Sequence, residues 1–118
     1  MNKLQARSDE LLKKYIIQAI QEKKGEKIII LNFAKIGNTI CDYFIICQGS
    51  SSIQNNTIAK FVEETVLNKT GEKPVHQEGK QNSQWILLDY VDIIVHIFQE
   101  ETRNYYNFEG LWADAQIE

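Results

Sequence analysis

The stretch Trp85-Ile86-Leu87-Leu88-Asp89-Tyr90-Val91-Asp92-Ile93-Ile94-Val95-His96-Ile97-Phe98 decides the fold. Two runs rich in β-branched and aromatic residues flank Val91 and Asp92, predicting a hairpin of strands over Trp85–Tyr90 and Ile93–Phe98. A two-residue turn sets Tyr90 opposite Ile93, Leu88 opposite Val95 and Ile86 opposite Ile97. These six side chains share one almost wholly apolar face, the side expected to pack under helices. Trp85, Leu87 and Asp89 then share the other face with Ile94, His96 and Phe98. Large aromatics beside a carboxylate and an imidazole suit neither a dry core nor an ordinary solvated surface. A Trp in a patch with a few polar groups has the composition of a binding hot spot, so this face is expected to stay open for a partner. The competing reading has a further helix covering the face, with His96 a satisfied core histidine.

Outward from the hairpin, the apolar spacing changes between strand-like and helix-like. Lys27–Phe33 (KIIILNF) and Asp42–Gln48 (DYFIICQ) are continuous apolar runs, which predicts interior strands covered on both sides. Lys73–Gln77, with Pro74, reads as a short edge strand, and Glu78–Ser83 as a polar turn. A helix is expected over Asp9–Lys24, where Leu11, Leu12, Tyr15, Ile16, Ala19 and Ile20 recur at helical spacing and Lys13, Lys14, Gln18, Gln21 and Glu22 mark the wet side. Ser8 is its expected N-cap and Gly25 its stop. Ser50 to Ser52 cap a second helix whose buried stripe is Ile53, Ile58, Phe61, Val62 and Thr65 or Val66, closed by Gly71. A short helix over Glu101–Glu109 ends the chain, with Leu111 and Trp112 anchoring the terminal segment. The expectation is one domain over residues 1–118, α/β of the α+β type, with a mixed sheet and helices.

The 118-residue chain carries 13 Lys and Arg against 16 Asp and Glu, a net charge of −3. A protein of this balance lacks the basic stripe of a nucleic-acid binder and suits a basic protein partner better, so no dedicated nucleic-acid site is expected. No apolar stretch reaches the roughly 18 residues of a membrane helix. The N-terminal MNKLQARSDE has no apolar signal core, and its acidic pair argues against a transit peptide, so no membrane partner and a cytoplasmic location are expected. Cys41 and Cys47 read as reduced, buried thiols, because six residues along one strand part their Cα atoms by roughly 20 Å.

The hairpin, followed by Glu101, Arg103, Tyr105, Tyr106, Glu109, Leu111, Trp112, Asp114 and Ala115, resembles the signature of the ribosomal silencing factor (Iojap) family. Asp42-Tyr43-Phe44-Ile45-Ile46-Cys47-Gln48-Gly49-Ser50-Ser51 is similar to that family's D-Y-F block, and Glu78-Gly79 to its E-G pair. The resemblance covers nearly all of the chain after Gly25. It implies a mixed five-stranded sheet related in shape to nucleotidyltransferases. It also implies binding to the large ribosomal subunit through large-subunit ribosomal protein fourteen, obstruction of subunit joining, and lowered translation when nutrients are short, without catalysis. One position departs from the pattern. Val91 stands where the family usually has Gly, and a β-branched residue resists the positive φ that Gly favours, which predicts a turn of different type or length.

The residues expected to carry the partner contact are Trp85, Leu87, Asp89, Asp92, His96, Glu101 and Arg103. Trp85 and Leu87 would form its apolar centre, Asp89, Asp92 and Glu101 its negative charge, and His96 a hydrogen-bond donor. Arg103 has two other readings: an exposed, weak salt bridge with Glu100 or a neighbouring acid, or a role with Tyr105 and Tyr106 in orienting the terminal helix against the hairpin. Two rival functions bear on the same residues. A metal-dependent nucleotide-binding enzyme would use Asp89 and Asp92, but carboxylates three apart across a turn do not share a strand face, and no third is evident in the sequence. A self-associating module would make the Trp85 face a homodimer interface. His76, His96, Cys41 and Cys47 lack the close spacing of zinc ligands, and no metal or cofactor is expected.

Overall fold

The computed structural model describes residues 3–36, 41–107, 110 and 116–118. Along the chain run α1 (Lys3–Glu22), β1 (Glu26–Asn32), β2 (Tyr43–Gly49), α2 (Ser52–Thr70), β3 (His76–Glu78), β4 (Trp85–Asp89), β5 (Ile93–Gln99), α3 (Glu100–Tyr106) and β6 (Gln116–Ile117). The strands form one mixed sheet in the order β3-β4-β5-β2-β1-β6. Its five expected strands are present, but the edge strand is shorter and shifted: β3 is His76–Glu78 rather than Lys73–Gln77, so Glu78 belongs to the strand and not to the polar turn. The sixth is a two-residue addition at the far edge, where Ile117 and Gln116 pair with Leu31 and Asn32.

The centre of the sheet is the parallel pairing of β2 with β5, in unbroken register from Tyr43↔Ile93 to Gly49↔Gln99. Parallel neighbours need a long crossover, and α2 with the β3–β4 hairpin supplies it. The apolar runs in these two strands follow from their place, since every residue of β2 is buried and Ile93 to Phe98 of β5 are too. Register across β4 and β5 is the expected one, with Leu88↔Val95 and Ile86↔Ile97. Ile86, Leu88, Tyr90, Ile93, Val95 and Ile97 accordingly join Ile45, Cys47 and Tyr43 on one side. There they meet Leu12, Ile16, Ala19 and Ile20 of α1 and Ile58, Ala59, Val62 and Val66 of α2.

Several details of the helices differ from the expectation. The first helix begins at Lys3, so Ser8 lies inside it and caps nothing, and Leu11 is exposed at the edge of the stripe. Lys13, assigned to the wet side, is buried, with its ammonium 2.7 Å from Glu118 and 3.0 Å from Glu10. In α2, Ser51 is the N-cap and Gly71 the left-handed C-cap, but Ile53 is 79% exposed. The inward stripe starts instead at Asn55, one turn before Ile58 and Ala59, and Ile53 lies about 200° around the helix from it. Asn55 is fully buried and donates to the Ser83 carbonyl at 2.8 Å, so a polar residue fills the first core position because it has a partner there. The third helix spans Glu100–Tyr106; its expected end at Glu109 and the packing of Leu111 and Trp112 lie outside the described residues.

The β4–β5 turn keeps two residues despite Val91. Tyr90 N–H donates to the Ile93 carbonyl at 2.9 Å, closing it. Val91 has φ +76°, a conformation a glycine adopts without strain, so Val91 takes the positive φ it was expected to resist. The Asp89 carboxylate accepts from Val91 N–H at 2.8 Å and helps to hold that conformation. For a β-branched residue the left-handed region costs roughly 1–2 kcal/mol, and the extra freedom of glycine in the unfolded chain offsets part of it. Val91→Gly is therefore expected to raise stability by about 1 kcal/mol in urea denaturation with an unchanged m-value. A lower midpoint would mean that the turn carries no strain.

Candidate functional site

The second face of the sheet runs across five strands. In one row lie Leu31, Phe44, Ile94, Asp89 and His76; in the next, Ile29, Ile46, His96, Leu87 and Glu78; and Trp85 sits opposite Phe98. Over β1, β2 and β5 this face is a second core, where Leu31, Phe44, Ile46, Ile94 and Phe98 pack with Phe33 and Cys41. Among the described residues it opens toward the β3 edge. Trp85, Leu87 and Asp89 are half-buried, and His76 and Glu78 are exposed. The face expected to stand open is thus open along one edge and closed in the middle.

This placement divides the expected contact set. Trp85, Leu87, Asp89 and Asp92 are partly accessible and Glu101 is exposed. His96 and Arg103, by contrast, are buried and held by other parts of the chain. His96 is 3% exposed. Its Nδ1 accepts from the Trp85 indole N–H at 3.0 Å, and its ring lies 4.6 Å from that of Phe44. Burial drives its pKa down to about 3, because an imidazolium here would lose its hydration. With Nδ1 accepting, the imidazole is neutral and its proton is on Nε2. His96 therefore fixes the indole from behind and presents no donor outward.

Arg103 is 5% exposed. Its Nη1 donates to the Lys27 carbonyl at 2.8 Å and to Gln48 Oε1 at 3.2 Å. The Lys27 carbonyl is within reach because β1 is irregular between Glu26 and Ile29, with Lys27 at φ +49°. Arg103 thus orients α3, but against the start of β1 and the end of β2 rather than against the hairpin. In the sequence an arginine on a short helix gave no sign of which way it would turn.

Trp85 is the residue around which the open part is built. Its ring stacks on Phe98 with centroids 4.9 Å apart, and Tyr106 of α3 lies 5.4 Å away on another side. Gly79 lets the chain pass close behind it: the residue has φ +85°, and a Cβ there would stand 1.9 Å from the Trp85 carbonyl oxygen. The Glu78-Gly79 pair is thereby explained by sterics. Beside it, Glu78, Gly79, Trp85 and Leu87 border a shallow cleft of about 250 Å³.

The two carboxylates of the enzymatic reading do not act together. Asp89 is turned to the Val91 amide, whereas Asp92 has its carboxylate within 4.8 Å of those of Asp9 and Asp42. That trio, formed where α1 passes the starts of β2 and β5, was invisible in the sequence because its members are 33 and 50 residues apart. Cys41 and Cys47 are buried thiols, Cys41 donating to the Tyr43 carbonyl at 3.3 Å, and loss of solvent pushes the pKa of each up to about 12, which disfavours the nucleophilic thiolate at neutral pH.

Comparison with known proteins decides the family. Residues 5–118 match the family described as ribosomal silencing factor during starvation. The chain belongs to the ribosomal silencing factor family. A ribosomal silencing factor of Halalkalibacterium halodurans is 36% identical over 108 residues, covering 92% of this chain and 91% of that one. One of Bacillus subtilis is 35% identical over 99 residues, covering 84% and 82%. A Chromobacterium violaceum protein of known crystal structure superposes with a TM-score of 0.81 at 30% identity, over 88% of this chain and 85% of that one. The family resemblance, the α+β fold and the mixed sheet are thus those of a silencing factor. No helix among the described residues is long and apolar enough to cross a membrane.

The neutral, buried His96 gives the fold an acid sensitivity. Its pKa is lower folded than unfolded, so its contribution is present above about pH 6.5 and is lost as pH falls toward 3. For wild type, this one group is expected to lower stability by about 2 kcal/mol between pH 7.5 and 5, read from urea midpoints. His96→Gln should be less stable at neutral pH, with that part of the slope removed. An equal slope in the variant would assign the acid sensitivity elsewhere.

Proposed function

We propose that this chain binds the large ribosomal subunit through large-subunit ribosomal protein fourteen and obstructs joining of the small subunit, repressing translation when nutrients are limiting. The observation that carries the reading is the partial opening of the second sheet face at its β3–β4 edge. There Trp85, braced by His96 and Phe98, and Leu87 lie beside the carboxylates of Asp89 and Glu78. A rigid aromatic anchor with apolar and acidic neighbours suits a basic protein surface, and the net charge of −3 favours its approach. Membership of the silencing factor family supports the choice of the ribosome as target.

Such a factor needs no chemistry. Two bulky bodies compete for one docking surface, and at free factor about 100-fold above its dissociation constant joining is disfavoured by about 2.7 kcal/mol. The protein acts by occupancy, in the cytoplasm, where ribosomal subunits meet.

Co-sedimentation with purified large and small subunits, run separately at two salt concentrations, tests this. Binding is expected to large subunits alone and to weaken with salt. Leu87→Asp should weaken it by at least about 30-fold, the loss of one hot-spot side chain. Equal binding to both subunits, or undiminished binding by that variant, would remove the proposed surface.

A further inference from the structure

At the end of the sheet where β5 runs into α3 there is a second, larger cleft of about 480 Å³, distinct from the shallow one beside Leu87. Its lining includes Trp85, Tyr105 and Tyr106, the carboxylate-bearing Glu101, and the amides Asn82 and Gln84. We propose that this cleft is a receptor for an arginine side chain presented by the protein partner. The inference deepens the docking reading above and rests on it for the bearer of that side chain.

Four observations converge. Tyr105 is 83% exposed and Tyr106 48%, so this aromatic area is not being used to close the core. The rings present differently aimed π surfaces: Tyr106 stands 5.4 Å from Trp85 at 51° and 5.1 Å from Tyr105 at 89°. Trp85 is held by its stacking on Phe98 and its bond to His96, so one wall is fixed before anything binds. Finally, Glu101 places a carboxylate at the same cleft, and no Lys or Arg lines it among the described residues.

The chemistry this selects is cationic, planar and rich in donors. A guanidinium can lie against a ring face and fork its N–H groups to a carboxylate and to amide carbonyls at once. A lysine ammonium is more strongly hydrated and lacks the flat surface to stack. Single-stranded RNA would also find rings to stack on, but it needs cations for its phosphates, and here the lining offers a carboxylate within a chain of net charge −3. The protein reading is therefore favoured over the nucleic-acid one.

The test is a nuclear magnetic resonance titration of the full chain with three probes: acetyl-Gly-Arg-Gly-amide, the same peptide with neutral citrulline, and an eight-nucleotide oligouridylate. The arginine peptide is expected to shift the Trp85 indole N–H and the Tyr106 amide saturably, and the citrulline peptide to bind at least about fivefold more weakly. Glu101→Gln and Tyr106→Leu alter exposed side chains and should each weaken the arginine peptide by about fivefold while leaving the dispersion of the core amides intact. Equal binding of citrulline, stronger shifts with the oligouridylate, or no saturable shift at all would overturn the proposal. Co-sedimentation separates the two ideas. If both variants bind large subunits as wild type while Leu87→Asp does not, the docking surface stands and the arginine receptor falls.

Discussion

The parallel pairing of β2 with β5 puts two continuous apolar strands at the centre of a sheet, and both of their faces have to leave water. One face is covered by α1 and α2. These helices use up the helical cover that the first two-thirds of the chain provides, so the second face must close by other means. Over β1, β2 and β5 its large side chains form a second buried cluster with Phe33 and Cys41. The closure runs out at β4, because β3 is only three residues long and its side chains are exposed. The open patch at Trp85 and Leu87 is a consequence of how the core is completed.

The same constraint explains the polar groups inside. A histidine in the middle of an apolar face costs free energy unless it stays neutral and bonded. His96 meets that condition by accepting from the one indole beside it. Arg103, a permanent cation, is tolerated in the interior because the irregular start of β1 presents a carbonyl and β2 presents an amide oxygen. Both residues belong to the family-like signature, and both act by holding something else in place: the indole in one case, α3 in the other.

Much of the fold was legible in the sequence because the signals were local. Strand runs such as KIIILNF and DYFIICQ show as continuous apolar stretches, the alternation within the hairpin follows from period-two placement of side chains, and the hairpin register came out as expected. The serine cap and glycine stop of α2 are equally local. What escaped depends on distance in space. Nothing near Asp9 announces Asp42 or Asp92, and nothing near Lys13 announces Glu118. Ile53 misled because hydrophobicity marks a stripe only when the start of the helix fixes its phase. For the site, composition identified the mixed face but not its partition into closed and open parts, since that depends on what lies over each strand.

Val91 shows how tightly the turn is determined by what surrounds it. A strained residue could have relieved itself by lengthening the loop, but one added residue would reverse the parity of β5 against β4. Ile93, Val95 and Ile97 would then face the second core, and His96 would be driven under the helices. The loss of several buried aliphatic contacts, each worth more than about 1 kcal/mol, exceeds the roughly 1–2 kcal/mol of one left-handed valine. The Asp89 carboxylate lowers the cost further by bonding the Val91 amide. The two faces of the hairpin therefore dictate the turn, and an unfavourable residue at its tip is carried because the alternative would turn the protein's core and its exposed edge inside out.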